Sequence, residues 1–165
     1  MCQKTISMCQ GKGSLSHNNR AFAAKNIDSS RTADNITFVH QNLRDAYDIL
    51  FSDAVERYNA RQKRNDRRIP DYLHHLFSRE PSASVITGTN KQKSFYEDLV
   101  QIGTKDDTGV GTPDSEIAVA CLREYMEGFS ERNPNFYVFN AVMHLDEATP
   151  ICTSTIFQWG ISAMV

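Results

Sequence analysis

The chain has 165 residues, 40% of them hydrophobic, with 18 Lys and Arg against 20 Asp and Glu for a formal net charge of −2. That length and apolar content suffice for one compact domain with a real core. The near-neutral balance excludes a globally basic nucleic-acid binder, so any such role must rest on local clustering. Cysteines at 2, 9, 121 and 152 form no C-x-x-C pair and no zinc spacing, which predicts reduced thiols. No stretch has signal-peptide or membrane-spanning length, so a soluble cytoplasmic protein with no membrane partner is expected.

In chain order, "CQKTISMC" (2–9) alternates loosely and reads as a strand, and "QGKGSLSHNNR" (10–20) reads as a loop. "NITFVHQ" (35–41) is a second strand. From Asp45 to about Arg64 the period turns helical, with Ala46, Ile49, Leu50, Ala54 and Tyr58 as its apolar stripe. "IPDYLHHLF" (69–77) suggests a short helix after a proline, and "SASVITGT" (82–89) a short strand. "KSFYEDLVQIG" (93–103) is expected to be a helix stopped by Gly103. The clearest helix spans 113–132: Thr112 can cap it, Pro113 suits its first turn, and Asp114 and Glu116 favour the positive end of its dipole. Its predicted buried stripe is Ile117, Ala120, Cys121, Tyr125 and Phe129. "NFYVFNAVMHL" (135–145) is the strongest strand, rich in aromatic and β-branched residues. This order predicts an α+β layer with an antiparallel or mixed sheet.

Three stretches carry candidate chemistry. His17 sits in "SHNNR" three residues before Arg20. It reads either as a solvated loop histidine or as a nucleophile or ligand, with Arg20 as a phosphate clamp. Arg57, Arg61, Lys63, Arg64, Arg67 and Arg68 crowd residues 57–68 against one acid, Asp66. They form either a solvated face or an electrostatic track for a nucleic-acid backbone. His144 and Glu147 open "HLDEATP" directly after the strongest strand, a start to a divalent-cation site that no later His or carboxylate completes.

Together, "SHNNR", "NIDSSRTADN" (26–35), "LRDAYDILFSDAVERYNARQKRNDRRIPDY" (43–72), "FYEDLVQIGTKDDTG" (95–109), "YMEGFSERNP" (125–134) and "HLDEATP" (144–150) resemble the plasmid mobilisation/recombination (Mob/Pre, MobV-type) relaxase family. The resemblance implies a relaxase/rolling-circle-like palm, a central antiparallel sheet with flanking helices. It implies an enzyme that nicks one strand of transfer-origin DNA with a divalent metal, Mn²⁺ or Mg²⁺. His17 would be the nucleophile, with Arg20 beside it, and His144 and Glu147 would fall on the metal motif. Tyr47, Tyr58 and Tyr96 stay open as alternative nucleophiles. A full-length relaxase would continue beyond this chain.

That motif continues with two histidines where this chain has Ile151 and Thr153, neither of which ligates as imidazole does. A synonymous encoding of Pro150–Gly160, read from one base earlier, spells H-L-H-I-D-Y-F-P-V-G and restores both. The expectation is therefore an incomplete relaxase catalytic domain over 1–150 and an out-of-frame tail over 151–165. That tail could pair at most as an accidental edge strand, and metal would be weakly bound or absent. Loss of catalysis would leave a non-catalytic DNA-binding remnant using the basic run as the alternative.

Overall fold

The computed structural model describes residues 4–22, 24–86 and 93–158. Cys2, residues 87–89 of the strand expected over 82–89, and the tail from Trp159 onward lie outside them. Five strands form one fully antiparallel sheet: β1 (Ile6–Gln10), β2 (Ile36–His40), β3 (Tyr96–Ile102), β4 (Phe136–His144) and β5 (Ile151–Gln158), in the order β1-β3-β5-β4-β2. Helices α1 (Leu15–Asn18), α2 (Leu43–Ala60), α3 (Tyr72–Phe77), α4 (Ser115–Glu127) and α5 (Phe129–Arg132) flank it. The expected α+β architecture is the one observed. Among the described residues, no helix is long and apolar enough to cross a membrane.

Strand alternation divides the core between the two faces. On one face Val100, Ala141, Met143, Cys152 and Ile156 pack against Leu122, Met126 and Phe129 of α4 and α5. On the other, Phe95, Phe139 and Phe157 meet Leu43, Ala46 and Tyr47 of α2 and Leu73 of α3. Phe139 and Phe157 lie 5.1 Å apart by ring centroids, and the Tyr47 ring stands edge-on to Phe157 at 5.2 Å. The register shift between Val138 and Asn140 changes the phase of β4 midway. A bulge there turns Asn140, Val142 and His144 away from α4.

Several sequence expectations are corrected. Residues 93–103 form strand β3, not a helix, with Gly103 at φ +69 ending it. Both faces of β3 are covered, so it lacks the clean apolar–polar alternation that marks a half-exposed strand. The stretch 10–20 is not all loop, because Ser14 caps the short helix α1 through the His17 amide. Residues 82–86 contribute only isolated bridges, Ala83 to Ser14 and Ile86 to Lys93. In α2 the buried stripe is Leu43, Ala46 and Tyr47, with Leu50 and Phe51 beside it, whereas Ile49 and Tyr58 are exposed. In α4 it is Ala118, Leu122 and Met126; of the predicted stripe Phe129 is buried in α5 and Tyr125 packs against the core, whereas Ile117 is 60% exposed. Asp114, not Thr112, occupies the cap position of α4, and it makes no side-chain cap bond.

The largest correction concerns β5. It is the central strand, not an edge strand, paired with β4 over its length and with β3 over residues 151–156, and Cys152 to Phe157 are buried. Burial pushes the Cys152 thiol up to about 12, leaving it an inert core group. Removing β5 would strip both neighbours of their hydrogen-bond partner. A chain ended at Pro150 should therefore lose cooperative urea unfolding and near-ultraviolet circular dichroism. Retention of a sigmoidal transition would contradict the central placement.

Candidate active site

The site forms where β4 ends and the chain turns into β5. His144 is the last residue of β4 and pairs with Ile151 across the hairpin. Between them Asp146 is fully buried. Its carboxylate accepts hydrogen bonds from Arg20 Nε at 2.9 Å, Arg20 Nη2 at 2.7 Å, Thr32 Oγ1 at 3.0 Å and Asn35 Nδ2 at 2.8 Å. Asn35 Oδ1 in turn accepts the amides of Leu145 and Asp146 at 2.7 and 3.2 Å. Arg31 donates to the Leu145 and Glu147 carbonyls at 2.8 and 3.2 Å. The polar stretch before β2 is thus a strap that ties down the hairpin. Burial alone would raise the Asp146 pKa, but Arg20, Asn35 and Thr32 outweigh it and hold the carboxyl well below the usual range.

Arg20 carries this organisation to His17. Four of its five N–H groups donate within the protein and the fifth faces the His17 ring. Nε and Nη2 hold Asp146; Nη2 also donates to Glu147 Oε1 at 2.9 Å. Nη1 donates to the His17 carbonyl at 2.9 Å and stands 3.3 Å from His17 Nε2. Its backbone lies in the left-handed region at φ 52, a conformation that costs a non-glycine residue and persists where surroundings over-determine it. Arg20 as placed is an organiser, with no donor in reserve for a phosphate. His17 Nε2 also lies 3.7 Å from Glu147 Oε1.

A second carboxylate fixes the other side of α1. Glu97, on β3 and only 5% exposed, accepts the Gly13 amide at 2.7 Å and Asn18 Nδ2 at 2.5 Å. Between these anchors opens a cavity of about 350 Å³, lined among others by Lys12, His17, Glu97, Glu147, Ile151 and Thr153. The four residues singled out from the motifs, His17, Arg20, His144 and Glu147, therefore converge at one end of the sheet. Sequence reasoning assigned no role to Asp146, Asn35, Asn18 or Glu97. All four stand inside stretches already quoted, but nothing local to Glu97 announces a buried acid whose partners lie 79 and 84 positions away.

The residues present do not fit the divalent metal that the resemblance implies. His144 is fully buried; its Nε2 lies 3.1 Å from the Thr153 hydroxyl, and its Nδ1 has no partner. Glu147 is occupied by Arg20 and by Asn26 Nδ2 at 3.1 Å. Ile151 and Thr153 line the cavity but bring no imidazole. Among the described residues, no three His, Cys, Asp or Glu side chains converge to hold an ion.

Tyr47 is buried with its hydroxyl donating to the Ser94 carbonyl, and burial raises its pKa. Tyr58 lies exposed on α2, and Tyr96 lies on β3 with the Lys93 ammonium over its ring. None of the three lines the His17 cavity. Arg57, Arg61, Lys63, Arg64, Arg67 and Arg68 are all exposed at and beyond the end of α2. Only Arg64 among them is paired, with Asp66 at 2.6 Å.

Burial, then repulsion from Arg20, lowers the His144 pKa to about 3, so the imidazole is neutral in the folded chain. Unfolding frees it to bind a proton near its ordinary pKa of about 6.5. Between those values the unfolded state binds more protons, so stability falls as pH drops from about 6.5 toward 3. The slope of unfolding free energy against pH should flatten in His144→Gln; an unchanged slope would contradict a neutral buried His144. Asp146→Ala should cost on the order of 3–5 kcal/mol in denaturant melts, because it leaves Arg20 with Glu147 as its remaining carboxylate and strips Thr32 and Asn35 of their buried acceptor. A loss below about 1 kcal/mol would place the pair among weak surface bridges.

Residues 37–159 match the profile of a family described as plasmid recombination enzyme (Mob/Pre), a span that runs past Pro150 through β5. Among solved structures the fold is similar to the MobM relaxase domain (MOBV; Mob/Pre), crystallised with manganese and 22-nucleotide pMV158 oriT DNA at pH 4.6. The TM-score is 0.51 at 19% identity, covering 97% of this chain and 76% of that one. A second crystal of that complex, at pH 5.5, gives 0.45 at 19% identity over 99% and 77%. No curated protein matches the chain. Because the profile spans well over half of its residues, the chain belongs to the plasmid recombination enzyme (Mob/Pre) family.

Proposed function

We propose that this chain is a relaxase domain of plasmid mobilisation that binds transfer-origin DNA as a single strand. In this reading its strand-nicking activity is impaired by the residues at 151 and 153. The observation that carries it is the convergence of His17, Arg20 and Glu147 beside the hairpin, in a family of plasmid recombination enzymes. The MobM domain of similar fold was crystallised on origin DNA with manganese.

In this reading His17 is the nucleophile. A neutral imidazole can attack phosphorus and form a covalent phosphoramidate, expelling the 3′ or 5′ oxygen of the next nucleotide, which must take up a proton. Arg20 fixes the His17 main chain and side chain relative to Glu147, so the ring does not search for its orientation. A metal would supply charge stabilisation on the phosphate oxygens in a complete site. Here His144 and Glu147 alone are insufficient to hold it. We attribute Ile151 and Thr153 to a one-nucleotide frameshift near codon 150, which reading the gene across that codon tests.

Six exposed cations at the end of α2 give the chain its grip on the backbone, and none of them is needed for the sheet. This also supports the second reading, a DNA-binding remnant without chemistry. Affinity for single-stranded DNA should fall steeply with salt, by roughly tenfold or more between 50 and 200 mM. The triple charge reversal Arg64→Glu, Arg67→Glu, Arg68→Glu should flatten that dependence in fluorescence anisotropy. Binding that ignores salt, or survives the reversal unchanged, would overturn the assignment of the basic run.

A further inference from the structure

Behind α1, on the side away from the His17 cavity, the structure holds a second cleft of about 290 Å³. Asn18 lines both spaces and forms the partition between them. The second cleft has a different chemistry. Asn19, Asn35, Thr37 and His40 line it with Val142, Arg20 and Thr32 reach it from the hairpin strap, and no carboxylate is among its lining residues.

The amides are arranged unequally. Asn35 is consumed by the hairpin, as is Thr32. Asn19 is held by Asn140, which is fully buried on β4 and donates from Nδ2 to Asn19 Oδ1 at 2.8 Å. In this arrangement Asn19 Oδ1 is spent, Asn140 Oδ1 is left without a partner, and Asn19 Nδ2 has no acceptor among the described residues. Thr37 and His40 are exposed on the edge strand β2, and neither side chain is bonded within the described residues. The cleft therefore pairs an oriented amide donor, a hydroxyl and an imidazole with a small apolar floor.

We infer that this cleft receives one unstacked nucleobase of the DNA strand whose phosphate lies at His17, and that Asn19 reads an acceptor on its edge. The inference rests on the proposed function and adds the subsite that sets base preference. The volume sits at the low end of small-ligand pockets, about 300–1,000 Å³, which suits one base and not a stacked run. Planar bases with polar edges are what side-chain amides recognise by geometry, and extruded bases are commonly gripped between a ring or apolar contact and a polar edge reader. His40 supplies the ring and Val142 the apolar contact. Asn19 follows His17 by two residues, so a strand crossing α1 meets both.

The test compares labelled strands of about ten nucleotides, within the span of single-stranded sites: oligo-dA, oligo-dC, oligo-dT and an abasic strand of equal length and charge. For the unmodified chain, affinity for the preferred base should exceed that for the abasic strand by roughly five- to tenfold. The Asn19 side-chain amide resonances should move with that strand and stay still with the abasic one. Asn19→Asp keeps the acceptor that Asn140 needs and removes the free donor; the uncharged pair Thr37→Val with His40→Ala leaves Asn19 intact. Both should bring the strands to within about twofold of one another. Salt-sensitive binding that is equal for all four strands would overturn the base subsite and leave the relaxase reading standing. Failure to bind any strand would overturn both.

Discussion

One pair of side chains, Arg20 and Asp146, holds this molecule's candidate chemistry together. They lie 126 positions apart in the chain, one in a short polar segment after β1 and the other in the turn between the two longest strands. Neither tolerates isolation. A fully buried carboxylate without cationic and amide donors would be forced to take up a proton, and a guanidinium against the sheet without acceptors would be driven out to water. Each is satisfied only when the His17 segment docks on the hairpin. The geometry of His17 relative to Glu147 is thus a by-product of satisfying one ion pair. Glu97 repeats the device on the opposite side of α1, with a buried acid whose two oxygens are met by Gly13 and Asn18.

The central strand sets the second constraint. β5 must fill both faces of the sheet, and the residues present do so: Cys152 and Ile156 enter the core against α4, and Phe157 stacks among the rings beneath α2. Fold and chemistry consequently place different demands on the same eight residues. The fold asks for β-compatible side chains of suitable volume at 152, 156 and 157. On the proposed function the site asks for ligating groups at 151 and 153, whose side chains face the His17 cavity. A change that spares the first set and spoils the second leaves a well-built sheet with an incomplete centre. The Thr153 hydroxyl illustrates this, since it satisfies His144 Nε2 as a structural partner.

Much of this was legible in the sequence because it depends on local pattern. Residues 135–145 carry the aromatic and β-branched density of a central strand, and β4 lies there. The motif residues His17, Arg20, His144 and Glu147 stood out by type and setting, and the fold brings them to one place. What escaped reading was non-local. Strand β3 is hidden within 93–103 because Glu97, a buried acid in a strand, is recognisable only through the Gly13 and Asn18 donors that satisfy it. The stripe of α2 was extended to Ala54 and Tyr58 because periodicity alone does not reveal that the helix outruns the sheet after Phe51. Ile117, in the first turn of α4, is apolar yet 60% exposed, so residue type alone misplaces that helix's buried face. A strand at 151–158 was expected only at an edge, since pairing order cannot be inferred from one segment.

In the proposed function the His17 imidazole is already positioned for attack, and ligating side chains at 151 and 153 are what the site lacks. The most direct test is Mn²⁺-dependent cleavage of single-stranded origin DNA by the chain as written and by Ile151→His with Thr153→His, each alongside His17→Ala. The account predicts no cleavage by the chain as written, cleavage by the double variant, and loss of that cleavage when His17 is removed. Equal cleavage with and without the restored histidines, or a double variant that folds and binds DNA yet leaves it intact, would contradict it.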